Sequence, residues 1–284
     1  MAALGFSSDK NSEFSTKSTI KKAFKLHSEG KTKDAEKLYS LLLNKNCYDP
    51  DVLNNYAIIC KHSDRLDQSK KLLIKAIKLF PNHASAFSNL GIIYKNDGLI
   101  DKAISHTERA VDLQPLNPVF NFNLANLFDE NGQEDQFEYF IRRAISLDPY
   151  FIGALNNLGT FLMRSSRRLL EARTVFEKVT FLNPKFAIGF SNLGVVFRDL
   201  GDSSKARINF MHALNIDQHL YKVYYYLSTL ENKEGYDDKW KQLLFSFDTK
   251  KCAIKDQIDI YFAKANIHHL NSNFEESSNM LIKA

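Results

Sequence analysis

The word FSNLG occurs at residues 87–91 and again at 190–194, with LNNLG at 155–159 between them. A glycine beside a short polar run can belong to a phosphate cradle, in which backbone N–H groups converge on the anion. That chemistry needs several glycines between a strand and a helix, spaced G-x-G-x-x-G or G-x-x-x-x-G-K-[ST]. Neither motif occurs here. Each glycine of these words stands alone within helical periodicity, where a small residue serves close contact between helices. Metal chemistry finds no better footing. Of eight histidines only His268 and His269 are close together, and adjacent helical positions face different directions. There is no H-E-x-x-H motif and no Cys/His ligand spacing. Cys47, Cys60 and Cys252 are scattered and read as reduced, partly buried thiols, which suits a cytoplasmic protein. No serine or cysteine nucleophile has a supporting context such as G-x-S-x-G. The sequence therefore predicts no catalytic residue, no metal and no cofactor.

One set of side chains remains. Asn55, Asn89, Asn123, Asn157 and Asn192 follow one another at intervals of 34, 34, 34 and 35. Asparagine inside a helix is not chosen for propensity, because its side chain competes for backbone hydrogen bonds. Its amide offers a donor and an acceptor together, the complement of an extended peptide backbone. These five are the candidate peptide-binding residues. In the competing reading they tie each repeat to the next and bind nothing. Lys61, Lys95, Arg164 and Arg198 are candidate flanking contacts that would give the bound segment its preference.

The elements that carry these asparagines follow from the residues around them. Two places after each asparagine stands a small residue, and the column extends in both directions: Ala23, Ala57, Gly91, Ala125, Gly159, Gly194 and Ser228. Seven positions after this anchor comes a turn residue, as at Gly30, Asp64, Gly98, Gly132, Ser166, Gly201 and Gly235. A second small residue follows twelve positions after the anchor at Ala35, Ser69, Ala103 and Ala206, and one later at Ala172. Proline closes four units at Pro81, Pro115, Pro149 and Pro184. Within 84–117, Phe87, Leu90, Gly91 and Tyr94 define one helical face, Gly98 ends that helix, and a second periodic run continues to Pro115. Each unit is thus a helical hairpin that cannot bury both faces alone, so neighbours must stack on it.

This pattern resembles the tetratricopeptide repeat, over about residues 16–230. The resemblance implies an all-α, right-handed superhelical solenoid of antiparallel helix pairs, with the asparagine column on its inner, concave face. It is closest to the long arrays of O-linked N-acetylglucosamine transferases, in which such a ladder holds an extended polypeptide. Co-chaperones of the same class grip an acidic C-terminus with lysine, arginine and asparagine. The corresponding positions here are Asn54/Ile58, Ser88/Ile92 and Phe122/Asn126, so that mode is not expected. The stretch from Gln257 to Ala284 looks like the junction before the catalytic domain in tetratricopeptide–sulfotransferase fusions. On that reading the chain would be the substrate-presenting arm of a longer transferase.

The units are 16–49, 50–83, 84–117, 118–151, 152–186, 187–220 and the start of 221–254, preceded by a segment 1–15 expected to be disordered. Residues 231–284 hold degenerate and partial repeats. Departures from the pattern mark where packing must adjust. Phe137 and Trp240 stand where a small second-helix residue belongs, an extra residue enters around 164–168, and Gln218 replaces the sixth closing proline. Ala265, Ser277 and Ala284 restore the register, which would leave an uncapped final unit and a longer polypeptide beyond it. With 44% hydrophobic and 25% charged residues the chain is ordinary globular material, and no run reaches the ~20 apolar residues of a membrane span. Net charge is +5, too slight to argue for nucleic acid. Pentatricopeptide-like RNA binding shares the period, but the closing prolines and turn glycines fit it less well. The charge is uneven, −4 over 118–151 and +4 over 152–186, which makes Arg164 and its neighbours a candidate basic edge. The expected partner is a protein or extended peptide, with no membrane and no nucleic acid.

Overall fold

The computed structural model describes residues 8–230 and 239–284, with side chains from residue 16 onward. Every regular element among them is helical. None of these helices is long and apolar enough to cross a membrane. The chain divides into two compact units, Met1–Asp148 and Pro149–Ala284.

The first unit is four hairpins. They pair α1 (Ser8–Ser28) with α2 (Thr32–Asn44), α3 (Pro50–His62) with α4 (Leu66–Leu79), α5 (Ala84–Asn96) with α6 (Ile100–Leu113), and α7 (Pro118–Glu130) with α8 (Glu134–Leu147). Helix α1 begins inside the segment 1–15 expected to be disordered, because no glycine or proline interrupts the chain between Ser8 and Ser28. Residues 1–7 of that segment lie outside the described residues. Prolines at the first helical position start α3 and α7. Asp49 and Asn117 cap them by accepting the N–H groups of Asp51 and Val52 and of Val119 and Phe120. At the α5–α6 turn Gly98 takes φ +73°, its N–H donates to Lys95 O at 2.9 Å, and the Leu99 N–H donates to Tyr94 O at 2.8 Å. Asp64 holds the equivalent left-handed position at φ 59° without being glycine.

The second unit opens with two further hairpins, α9 (Ile152–Leu162) with α10 (Leu169–Leu182) and α11 (Ala187–Asp199) with α12 (Ser203–Ile216). The extra residue around 164–168 is absorbed by a single 3-10 turn, Ser166–Arg168. Helix α12 ends at Ile216 although Gln218 has replaced the closing proline, and the Asp217 N–H donates to Ala213 O at 2.9 Å. Then come α13 (Tyr221–Thr229), α14 (Lys239–Ser246), α15 (Ile254–Leu270) and α16 (Phe274–Lys283). The turn residue Gly235 lies outside the described residues. Trp240 is buried, with its ring 6.4 Å from that of Tyr224, where other hairpins have a small contact. Helix α13 packs chiefly on α15 instead of on α14, and Asn266 Nδ2 donates to Ser228 Oγ at 2.9 Å across that contact. The regular hairpin returns with α15 and α16. Ser277 Oγ donates to Ala265 O at 3.0 Å, as Ser69 Oγ donates to Ala57 O at 2.7 Å one dozen residues from its own anchor.

The small anchors owe their size to the residue facing them from the second helix. Ala23, Ala57 and Ala125 belong to hairpins whose facing positions are Tyr39, Leu73 and Ile141, all buried. Gly159 and Gly194 face Phe176 and Phe210, and a Cβ on either glycine would lie 2.6 Å from a ring carbon. The phenylalanine ring therefore lies on bare backbone, and glycine is needed for its closeness there rather than for its flexibility. Phe137 stands in the second small column yet is 1% exposed, so the fourth hairpin accommodates it within the core.

Candidate functional site

In the first unit α5 touches α3 on one side and α7 on the other, so the first helices of successive hairpins form a row. The asparagines cross that row. Asn89 Nδ2 donates to Asn54 Oδ1 at 2.8 Å, and Asn123 Nδ2 donates to Ser88 Oγ at 3.3 Å. In the second unit Asn192 Nδ2 donates to Asn156 Oδ1 at 3.1 Å. Each of these amides reaches back to the residue three places before the anchor of the preceding hairpin. A bond of this kind contributes ~0.5–1.5 kcal/mol net and fixes which way the amide points. The carbonyl oxygens of Asn89, Asn123 and Asn192 accept no hydrogen bond among the described residues, and none belongs to the fully buried unpaired atoms. Each is therefore reached by water at least in part.

The remaining two asparagines are placed differently. Asn55 Oδ1 takes a weak 3.5 Å bond from Asn54 Nδ2, and its side chain lies near the Tyr39 hydroxyl, whose hydrogen-bond partner is His27 Nδ1 at 3.3 Å. Burial pushes the Tyr39 phenol up to about 12, and the nearby Asn55 amide offsets part of that rise. In the second unit Asn157 Oδ1 receives a similar 3.5 Å bond from Asn156 Nδ2. The doublets Asn54-Asn55 and Asn156-Asn157 thus serve both as receivers for the next hairpin and as members of the column.

Of the four candidate cations, two stand beside asparagines of the row. Lys61 lines a shallow crevice with Asn89 and makes no ion pair among the described residues. Lys95 lines a cleft with Asn123 and is paired with Glu130 at 2.8 Å. In the second unit Arg198 is paired with Asp199 at 2.8 Å and lies 4.9 Å above the Tyr226 ring. Arg164 is exposed, 5.4 Å from the Phe161 ring centre. Two further basic residues of the fifth repeat are held by their own helix, Arg168 by Glu171 at 3.0 Å and Arg173 by Glu177 at 3.6 Å. Exposed pairs of this kind are worth little.

Among the described residues no three His, Cys, Asp or Glu side chains converge as metal ligands. His268 packs edge-on to Phe245 and His269 to Phe274, so the two imidazoles turn apart. Residues that sequence reasoning passed over are the receivers Asn54, Ser88 and Asn156. Their signal was a polar residue immediately before the asparagine, visible once the register was known.

Comparisons with known proteins follow the same hairpins. A family model for the tetratricopeptide repeat matches residues 50–83, 84–115 and 190–219. The fold is similar to that of YrrB, described as a tetratricopeptide-repeat protein with an unusual peptide-binding site. That structure has TM-score 0.52 and 22% identity, and the match covers 63% of this chain and 92% of that one. It is also similar to the C-terminal part of a repeat protein from Cytophaga hutchinsonii, at TM-score 0.61 and 15% identity, covering 92% and 99% of the two chains. A tetratricopeptide-repeat protein from Parabacteroides merdae gives TM-score 0.60 and 13% identity, covering 95% and 98%. No curated protein matches the sequence. The hairpins at residues 50–83, 84–115 and 190–219 are tetratricopeptide repeats.

Proposed function

We propose that the chain is a binding scaffold that takes up a protein or peptide segment in extended form, along the first helices of its hairpins. The observation that carries this reading is the set of unpaired carbonyl oxygens, none of them fully buried, on Asn89 and Asn123 in the first unit and Asn192 in the second. Each amide is held by a bond to the preceding hairpin, so its free acceptor is already oriented and little entropy is lost on binding. An extended backbone presents N–H groups along its edge and can satisfy such acceptors whatever its side chains are. Lys61 and Lys95 flank the row and supply preference. The fold likeness to YrrB, described as having a peptide-binding site, is compatible with this role.

The test is the double substitution Asn89→Ala and Asn123→Ala, measured by capture of random short peptides from a display library. Loss of two hydrogen bonds to the ligand is expected to weaken captured peptides by roughly tenfold or more, with unchanged helicity by circular dichroism. Undiminished capture by the variant would sink the reading.

A further inference from the structure

The asparagine row of the first unit has a basic border, and the register of the hairpins shows which part of it is left open. Lys61 and Lys95 stand four residues after the anchors Ala57 and Gly91, so they hold the same place in the second and third hairpins. Lys95 is answered by the hairpin that follows. Glu130 stands there five residues after the anchor Ala125, and the pair closes at 2.8 Å. The residue that the same register sets against Lys61 is Asn96, five residues after its anchor Gly91. At this joint a neutral amide has replaced the acid.

Lys61 is half-buried, and its Nζ is not among the fully buried unpaired atoms, so the charge still reaches solvent. Neither Lys61 nor the exposed Asn96 makes a side-chain hydrogen bond or ion pair among the described residues. Lys61 shares its crevice with Ile58 and with Asn89, whose carbonyl oxygen belongs to the row. A carboxylate arriving beside a half-buried ammonium meets a lower dielectric than at an open surface, which strengthens the attraction.

We infer that Lys61 reads an acidic side chain, aspartate or glutamate, of the extended segment, in the place that Glu130 fills one hairpin further on. The inference rests on the peptide-binding reading above and adds which residue type is selected and by what. A backbone N–H of the segment donates to Asn89 Oδ1, and a carboxylate beside it accepts from Lys61 Nζ, with Asn96 Nδ2 as a second donor. Lys95 exerts no comparable pull while Glu130 neutralises it.

Three variants separate the cation from the row. Random short peptides from a display library are selected on the wild-type chain and on each variant, with helicity checked by circular dichroism. The wild type should enrich aspartate or glutamate at one fixed position, and the matching amide there should weaken binding roughly fivefold. Lys61→Met and Asn96→Glu should both abolish that enrichment, the first by removing the cation and the second by supplying the acid from within. Glu130→Asn should retain it and add a second acidic position, because Lys95 is then left open. Three results overturn the inference and leave the row intact: wild-type capture without an acidic preference, a preference that persists in Lys61→Met, or one that follows the C-terminal carboxylate of the peptide instead of a side chain. No capture by the wild type overturns both readings.

Discussion

Replacing Gly194 with alanine poses two effects of opposite sign. Alanine favours a helix interior over glycine by ~1 kcal/mol. Against this, the new Cβ would sit 2.6 Å from the Phe210 ring, about 1 Å inside the ~3.5–4.0 Å of ordinary carbon contact. Phe210 is fully buried, so the ring must push its neighbours or the helices must part, at ~1–3 kcal/mol. The net expectation is a loss of ~1 kcal/mol. Phe210→Leu alone should cost a similar ~1 kcal/mol through lost volume. Together they recreate the alanine–leucine pairing of Ala57 and Leu73, both buried in the second hairpin. The double variant should therefore be less destabilised than the sum by about 1 kcal/mol of coupling. Because stacked repeats need not unfold all at once, native-state hydrogen exchange on the α11 and α12 amides is the appropriate measurement. Additivity within ~0.3 kcal/mol would refute the claim that ring contact explains the glycine.

Two other perturbations test the turns and the buried phenols. Asp64→Gly should stabilise the α3–α4 turn by ~0.5 kcal/mol, since Asp64 holds φ 59° where four other turns use glycine; a urea melt showing a loss would contradict this. At high pH, Tyr39 is held protonated by burial, with its pKa up to about 12, and Tyr224 is raised for the same reason. A raised folded pKa means that stability is intact below the unfolded value of ~10 and falls as pH rises toward 12. For Tyr39 that loss is on the order of 2–3 kcal/mol. Phenolate absorbance and circular dichroism should change together over that window, and Tyr39→Phe should shift the transition to higher pH.

The repeat was legible because its columns are enforced by contact. Every anchor from Ala23 to Ser228 must be small for two helices to meet, and that demand writes a period into the sequence. The asparagine column was legible for a related reason, since an amide in a helix interior needs a cause. Its division of labour was not. That one side of the amide ties to Asn54, Ser88 or Asn156 while the carbonyl faces water depends on which neighbour lies within 3.3 Å, and spacing along the chain does not encode that. The seventh repeat failed to be regular for a visible cause, Trp240 in a small column, but the partnership of α13 with α15 was hidden. A bulky residue says that one helix cannot come close; it does not say which other helix will.

The side-chain bonds of the first unit also determine how it would bear load. Asn89 grips Asn54 and so ties the third hairpin to the second, but the seam stops there, because the receiver position of the first hairpin is the apolar Ile20. The fourth is joined to the third along this seam by the 3.3 Å bond from Asn123 to Ser88. Under tension applied along the stack, the seam is weakest between the first and second hairpins, whereas the third and fourth are also joined by Lys95 and Glu130 at 2.8 Å. A segment bound across the first helices there would splint the joint that the asparagines leave untied.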